Sequence, residues 1–194
     1  YNAYPEFGLA NKTYDLSKVK NAVLGTGVDI SINGDEASFR SKYDIKGDYV
    51  IYAGRKDQGK NVDTLINYHA EYIRRAKSDS KPYPKLILIG GGSIDIPTDM
   101  KCDIIDLGFV DYKDKYDAMA GSLCLCQPST HESFSLVIME SWLCRRPVIV
   151  SERCEVTLDF VKRTNGGLYF DNYYDYEGVL DYFLKNEEVL KTMG

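Results

Sequence analysis

The chain has 194 residues, a length that suits one domain of ordinary size burying roughly 70% of its unfolded surface without staples. It is 44% hydrophobic and 27% charged, with a formal net charge of −5. That acidic balance excludes a general nucleic-acid or membrane-surface binder, so any phosphate must be held by local cations and not by a field over the whole protein. The five Cys (102, 124, 126, 144 and 154) form no C-x-x-C pair, and two His cannot complete a zinc-finger pattern. Cys124 and Cys126 lie two apart in an apolar run, on one face of an expected strand. Reduced core thiols fit them and point to a reducing compartment. No apolar run approaches the roughly 18 residues of a membrane span, and no signal peptide opens the chain. The opening YNAYPEF lacks Met, so a piece of a longer protein is expected.

Residues 1–45 are rich in Tyr and Asn and carry one apolar run, NAVLGTGVDI at 21–30. Five short β-rich runs follow: DYVIYAG (48–54), KLILIG (85–90), DIIDLG (103–108), SLCLCQP (122–128) and PVIVSE (147–152). Helical patterns lie between them. Val62, Leu65, Ile66, His69, Tyr72 and Ile73 recur at helical spacing, and Tyr116, Met119 and Ala120 do so in a shorter segment. Two more helices are expected over 133–144 and 155–163, and one or two amphipathic helices from Asp175. Strands alternating with helices predict an α/β fold, a parallel sheet covered on both faces. Ligands in such sheets bind beyond the carboxyl ends of the strands. The loops to search are therefore GRKDQGKN, GGGS, GFVDYK, PSTHES and SERCE.

In YAGRKDQGKN (52–61), Gly54, Gly59 and Lys60 fit the P-loop spacing G-x-x-x-x-G-K. The next residue of a P-loop ligates Mg²⁺ through a hydroxyl, whereas Asn61 offers only an amide oxygen. A triphosphatase also needs a strand ending in Asp to hold the metal, and these runs end in Gly, Gln-Pro or Ser-Glu. A charged surface turn is the plain alternative. A third reading joins Arg55, a fork for phosphate oxygens, to Lys60, a point charge. Both lie beside a helix start near Asn61 whose free amides add partial positive charge. Two cations there would neutralise a diphosphate leaving group without a metal.

The segment from Phe134 to Cys144 is apolar nearly all round, the mark of a buried helix. Glu140 interrupts it. A buried carboxylate without a partner is costly, so Glu140 either reaches solvent or meets something. An exposed Glu140 and a capping Glu132 make the plain reading. In the functional one, Ser133 to Leu136 supply the helix's first free amides as an anion or hydroxyl site. Glu140 then accepts two hydrogen bonds from a vicinal diol, as a ribose presents.

Glu132 and Glu140 together form a Glu-x7-Glu motif. ESFSLVIME resembles the signature of the retaining nucleotide-sugar glycosyltransferases of the GT-B fold (glycosyltransferase family 4-like, glycosyl transferases group 1), the large group with sucrose and glycogen synthase-like and mannosyltransferase-like enzymes. The resemblance runs from about Gly25 to Phe170. Gly27-Val28-Asp29 is similar to the family's G-V-D turn, and Gly54-Arg55 with Lys60-Asn61 to its G-R…K-N phosphate motif. LILIGGGS resembles the strand and Gly-rich turn that follow, and Leu107-Gly108-Phe109-Val110 the base-contacting loop. Pro128-Ser129 to Glu140, then Arg146-Pro147-Val148-Ile149, complete the series. Each motif alone is unspecific, but all occur in the family's order. Glu132-Ser133-Phe134-Ser135 stands where the family usually has Glu-Gly-Phe-Gly, which narrows the approach to a donor sugar. Thr26-Gly27 replaces the usual Asn-Gly.

The resemblance implies a Rossmann-like, doubly wound parallel sheet of about six strands with helices on both faces, one half of a GT-B fold. It divides the chain into an N-terminal segment, interdomain linker and first strand over 1–45, and a nucleotide-sugar binding domain with C-terminal helices over 46–194. It implies transfer of a sugar from a UDP- or GDP-sugar to a glycan or lipid-linked acceptor, a hexosyltransferase-type step of polysaccharide biosynthesis. The acceptor is expected on a separate N-terminal domain, without which the piece is inactive. Arg55 and Lys60 would bind the donor phosphates and stabilise the leaving nucleoside diphosphate. Glu132 would face the donor sugar and complete a catalytic set with those two cations. Ser133, Phe134, Ser135 and Leu136 would contact the sugar or distal phosphate, Glu140 the ribose, and Phe109 and Val110 the base. No metal and no cofactor beyond the donor are implied, no nucleic acid is expected as partner, and the expected place is the cytoplasm, at or near the membrane surface in the full-length protein. The alternatives are a non-catalytic nucleotide-binding or interaction module, or a sugar-nucleotide epimerase-like domain. His131 reads as structural or supporting, since no base partner accompanies it. His69 reads as packing or surface. Tyr169, Tyr173, Tyr174, Tyr176 and Tyr182 read as packing under the C-terminal helices.

Overall fold

The computed structural model describes residues 1–31 and 33–194. Six strands form one sheet: β1 Tyr49–Ala53, β2 Lys85–Ile89, β3 Ile104–Asp106, β4 Cys124–Gln127, β5 Val148–Ser151 and β6 Gly167–Phe170. Their order is β3-β2-β1-β4-β5-β6, and every neighbouring pair is parallel. All residues of β1, β4 and β5 are buried. Strands covered on both faces have no wet side to alternate with, which is why they read as unbroken apolar runs. The chain winds outward from β1 to β3, then returns and winds the other way from β4. The crevice between the carboxyl ends of β1 and β4 is thus the point where strand order reverses.

Eight helices accompany the sheet among the described residues: α1 Tyr4–Thr13, α2 Glu36–Tyr43, α3 Val62–Ser78, α4 Tyr112–Ala120, α5 Leu136–Leu143, α6 Glu155–Thr164, α7 Tyr173–Lys185 and α8 Glu187–Met193. Val50, Tyr52, Cys124 and Cys126 point to one face, where α3, α7 and α8 supply Leu65, Ile66, Leu180 and Leu190. Tyr49, Ile51, Leu125 and Val148 point to the other, against Phe39 of α2, Met119 of α4, Ile138 of α5 and Val161 of α6. Two starts are capped by side chains: Asp35 accepts from the amides of Ala37 and Ser38, and Asn172 from those of Tyr174 and Asp175. No helix among the described residues is long and apolar enough to cross a membrane.

Five strands fall within the five apolar runs, and the sixth is β6. The strand expected within 1–45 is not there: residues 14–31 and 33–35 are in neither helix nor strand. Among the described residues the run 21–30 pairs with no strand, and Leu24 and Ile30 are exposed. The helix expected from Ser133 begins instead at Leu136. The tyrosines near the C-terminus divide. Tyr176 is buried, whereas Tyr169, Tyr174 and Tyr182 are exposed, because their helix and strand positions face outward.

Cys124, Cys126, Cys144 and Cys154 are buried free thiols, and Cys102 is exposed. Burial pushes the Cys124 and Cys126 thiols up and that of Cys144 to about 11. His69 is buried in α3, with Nε2 2.9 Å from the Pro84 carbonyl and Nδ1 2.7 Å from the Tyr176 hydroxyl. A carbonyl only accepts, so Nε2 carries the proton and Nδ1 accepts from Tyr176. Burial pushes this imidazole down from 6.5 to about 4. A depressed folded value means that the unfolded chain binds the proton first as pH falls. Its contribution is therefore complete above pH 6.5 and lost toward pH 4. Urea unfolding at pH 7 and pH 5 is expected to differ by about 2 kcal/mol on this account, and His69→Leu should flatten that slope.

Candidate functional site

The loops after β1, β2 and β3 are laced together by backbone. Gly54 N donates to Ile89 O at 2.9 Å, Lys56 N to Gly91 O at 2.8 Å and Gly90 N to Gly108 O at 2.7 Å. Gly90 has φ +127, and a methyl group there would overlap the Gly54 carbonyl, so only glycine fits this approach. Lys56 braces the same loops. Its side chain is fully buried, and its ammonium donates to Gly90 O and, at 3.0 Å, to Asp106 Oδ1. Asp106 Oδ1 also accepts from Gly108 N at 2.9 Å.

Above this floor lies a cavity of about 520 Å³. Gly54, Arg55, Gly90 and Gly91 form one wall, Phe109, Val110 and Tyr112 another, and Leu136, Val137, Lys115 and Glu140 the third. Arg55 is largely exposed, its one ion-pair partner among the described residues being Asp57 at 3.6 Å. Phe109 is 85% exposed beside the opening. Glu140 has met partners: its Oε1 accepts from Lys115 Nζ at 2.7 Å and from Tyr116 OH at 3.0 Å. The Lys115 ammonium also lies 5.1 Å and 4.5 Å from the ring centres of Tyr112 and Tyr116, a cation–π contact. Burial and the Glu140 charge push the Tyr116 phenol up to about 12, so it remains a donor. Glu140 Oε2 accepts no hydrogen bond among the described residues.

A second cluster sits at the carboxyl end of β4. Lys60 Nζ donates to Glu132 Oε1 at 2.8 Å, and Gln127 Nε2 donates to the same oxygen at 3.2 Å and to Ser135 Oγ at 3.1 Å. Glu132 and Ser133 line a further cavity of about 650 Å³, with His131, Arg153 and the α1 residues Pro5, Glu6 and Leu9 around it. Asn61 precedes α3 in the left-handed region, with φ 55. Its amide group donates to Pro128 O at 3.1 Å and accepts from Thr64 Oγ1 at 2.7 Å. The amide oxygen that stands in place of the P-loop hydroxyl thus accepts from Thr64.

The residues singled out from sequence thus fall in two places. Arg55, Phe109, Val110, Leu136 and Glu140 share the first cavity. Glu132 and Ser133 line the second, and Lys60 is joined to it through Glu132. Phe134 packs edge-on against Phe160, ring centres 5.2 Å apart, and Ser135 precedes α5 with φ 71. The free amides expected over 133–136 therefore shift to the helix start at Leu136. His131 is exposed; its ring lies 2.9 Å from the Thr130 hydroxyl, and its carbonyl accepts from Ser129 Oγ at 3.0 Å. Sequence reasoning missed Lys56, Asp106, Lys115, Tyr116 and Gln127. The one signal for the last was a polar residue ending an apolar strand.

Residues 35–194 match the family described as Glycosyl transferases group 1. The chain is 32% identical over 151 residues to the D-inositol 3-phosphate glycosyltransferase of Gordonia bronchialis, covering 71% of this chain and 33% of that protein. It is 28% identical over 138 residues to that of Jonesia denitrificans, covering 66% and 32%. It therefore spans about a third of the length of the curated relatives it matches. Sucrose-phosphate synthase from Thermosynechococcus elongatus superposes with a TM-score of 0.79 at 18% identity, over 98% of this chain and 50% of that one. Anabaena HepE in complex with UDP-glucose superposes with 0.72 at 20% identity, over 89% and 50%. These likenesses share the six-stranded parallel sheet and its helices. The chain belongs to the glycosyl transferases of group 1, as one Rossmann-like half of their GT-B fold.

Proposed function

We propose that this chain binds the nucleoside diphosphate sugar in a retaining, metal-independent glycosyl transfer. The observation that carries the reading is the first cavity. Its lining offers the exposed guanidinium of Arg55 and a Glu140 carboxylate with one oxygen anchored and the other open. A nucleoside diphosphate has the matching parts. Phe109 and Val110 flank the base, Glu140 Oε2 accepts from the ribose hydroxyls, and Arg55 and Lys60 hold the diphosphate. Lys60 has three donors and spends one on Glu132, so it reaches phosphate without leaving that carboxylate. Leu136 and Val137 offer the free amides of the α5 start. Glu132 faces the donor sugar beside Ser133. The bond from the anomeric carbon to the diphosphate breaks, and a bond to an acceptor hydroxyl forms with loss of its proton. Charge left on the nucleoside diphosphate is stabilised by Arg55 and Lys60, the work a divalent ion does elsewhere.

UDP- and GDP-sugars both fit this reading, and HepE in complex with UDP-glucose supports the uridine arm. The acceptor, a glycan or lipid-linked sugar, belongs to the part of the relatives that this chain does not span. In this scheme the donor domain runs over 46–194 together with α2, whose Phe39 packs into its core, and the residues before α2 lead into it. Calorimetry with UDP and with GDP, in EDTA and in Mg²⁺, tests the reading. Binding of one nucleotide in EDTA is expected, and strict dependence on Mg²⁺ would overturn the metal-free site. Glu140→Gln is expected to weaken ribonucleotide binding about tenfold but the 2′-deoxy analogue less, since a carboxylate accepts from a diol more strongly than an amide does. Equal losses would make Glu140 structural. The chain alone should bind donor yet transfer no sugar, because transfer needs an acceptor within about 3–3.5 Å of the anomeric carbon and exclusion of water. Turnover matching a longer protein that includes the acceptor region would contradict this and place a complete active site here.

A further inference from the structure

Gln127 closes β4 as its polar residue, 5% exposed in a strand that otherwise reads Cys-Leu-Cys. Its amide orientation follows from its partners. Glu132 is an acceptor only, so the NH₂ group must face it; turning the amide over would set oxygen against oxygen. Both amide hydrogens are then in use, one on Glu132 Oε1 and one on Ser135 Oγ. The amide oxygen meets no donor among the described residues. Packing does not account for a residue that buries a polar atom unpaired where leucine would leave none.

Ser135 presents a matching anomaly. It holds the left-handed region at φ 71, ψ 73, a conformation that suits glycine and strains a residue with a Cβ. Glycine, however, would leave the second Gln127 hydrogen without an acceptor. Each oddity explains the other. Together with Lys60 they hold Glu132 Oε1 from two sides and leave Oε2 without a protein donor among the described residues, on a carboxylate that lines the second cavity. Resting on the donor reading above, we infer that Gln127 is a positioning residue, anchored by a strained Ser135, which aims Glu132 at a hydroxyl of the donor sugar.

Two measurements on the 194-residue chain test this. The first compares UDP with UDP-glucose, and GDP with GDP-mannose, by calorimetry. Gln127→Leu is expected to weaken the sugar nucleotide about 5- to 10-fold relative to the bare nucleotide, the scale of one lost hydrogen bond to a charged group. Gln127→Met, which keeps the shape, serves if the leucine variant does not fold. An unchanged ratio with nucleotide binding intact overturns the positioning role alone. Failure of the unaltered chain to bind any of the four overturns the donor reading and this inference with it. The second measurement needs no ligand. Ser135→Gly should leave the melting temperature nearly unchanged in the natural background, because relief of strain is offset by an orphaned amide hydrogen. In the Gln127→Leu background the same change should raise it by about 2–4 °C. Equal shifts in both backgrounds would show that the two residues are uncoupled and sink the proposal.

Discussion

An Arg55→Ala, Lys60→Ala double variant is expected to bind a nucleoside diphosphate at least about 100-fold more weakly than the unaltered chain. Hydrogen bonds to charged groups contribute about 1.5–3 kcal/mol each, and 1.4 kcal/mol is a factor of ten. The low end applies, because the Arg55 side chain is 79% exposed and water screens it. The single changes should separate by stability. The Arg55–Asp57 pair is exposed at 3.6 Å, so Arg55→Ala should leave the unfolding midpoint in place. Lys60→Ala removes the cation from a Glu132 side chain that is only 10% exposed and should lower that midpoint. Titration in EDTA beside urea unfolding reads both quantities. A double variant within threefold of the unaltered chain would remove the diphosphate from this site.

Gly90→Ala is expected to cost at least about 3 kcal/mol of folding stability. The substitution meets two penalties at once. A φ of +127 strains any residue with a Cβ, by roughly 1–3 kcal/mol, and the new methyl overlaps the Gly54 carbonyl, a backbone atom that cannot turn aside. Relief requires the β1 and β2 loops to part, which also breaks the bond from Gly54 N to Ile89 O. Gly91→Ala is the control: a methyl there meets nothing within 4 Å, and its effect should stay within about 1 kcal/mol. Urea unfolding of the two variants decides it. Similar values for both would mean that the loops are not held as tightly as their backbone bonds indicate.

The sheet was legible because doubly covered strands must be apolar along their whole length, and five such runs stood out. β6 did not, since GLYF is short, opens on glycine and exposes Tyr169 at the sheet edge. The run 21–30 misled for the converse reason: it has the residues of a strand but leaves Leu24 and Ile30 exposed and pairs with no strand among the described residues. Ser133-Phe134-Ser135 read as helix because nothing in those letters says that Ser135 adopts a positive φ. That Arg55, Phe109 and Val110 would lie near one another was legible because each sits in a loop that follows a strand, and Glu140 joins them from α5, where one carboxylate interrupts an apolar helix. Lys56 was not legible. It adjoins Arg55, and the sequence does not say which of two neighbouring cations turns inward to Asp106, 50 positions away. Lys115 looked like one more surface charge until folding set it against Glu140, 25 positions on.

The placement of the thiols makes the native protein a reporter of its own opening. Cys102 is the exposed cysteine, so a maleimide dye at neutral pH should label that position first and mark the approach to β3. Cys124 and Cys126 lie on β4, between β1 and β5, with their thiols held in the protonated form by burial. A reagent reaches them only when α3 and α7 lift from the sheet. The slow phase of labelling is thus a clock for global opening, and any ligand that closes the crevice between β1 and β4 should lengthen it.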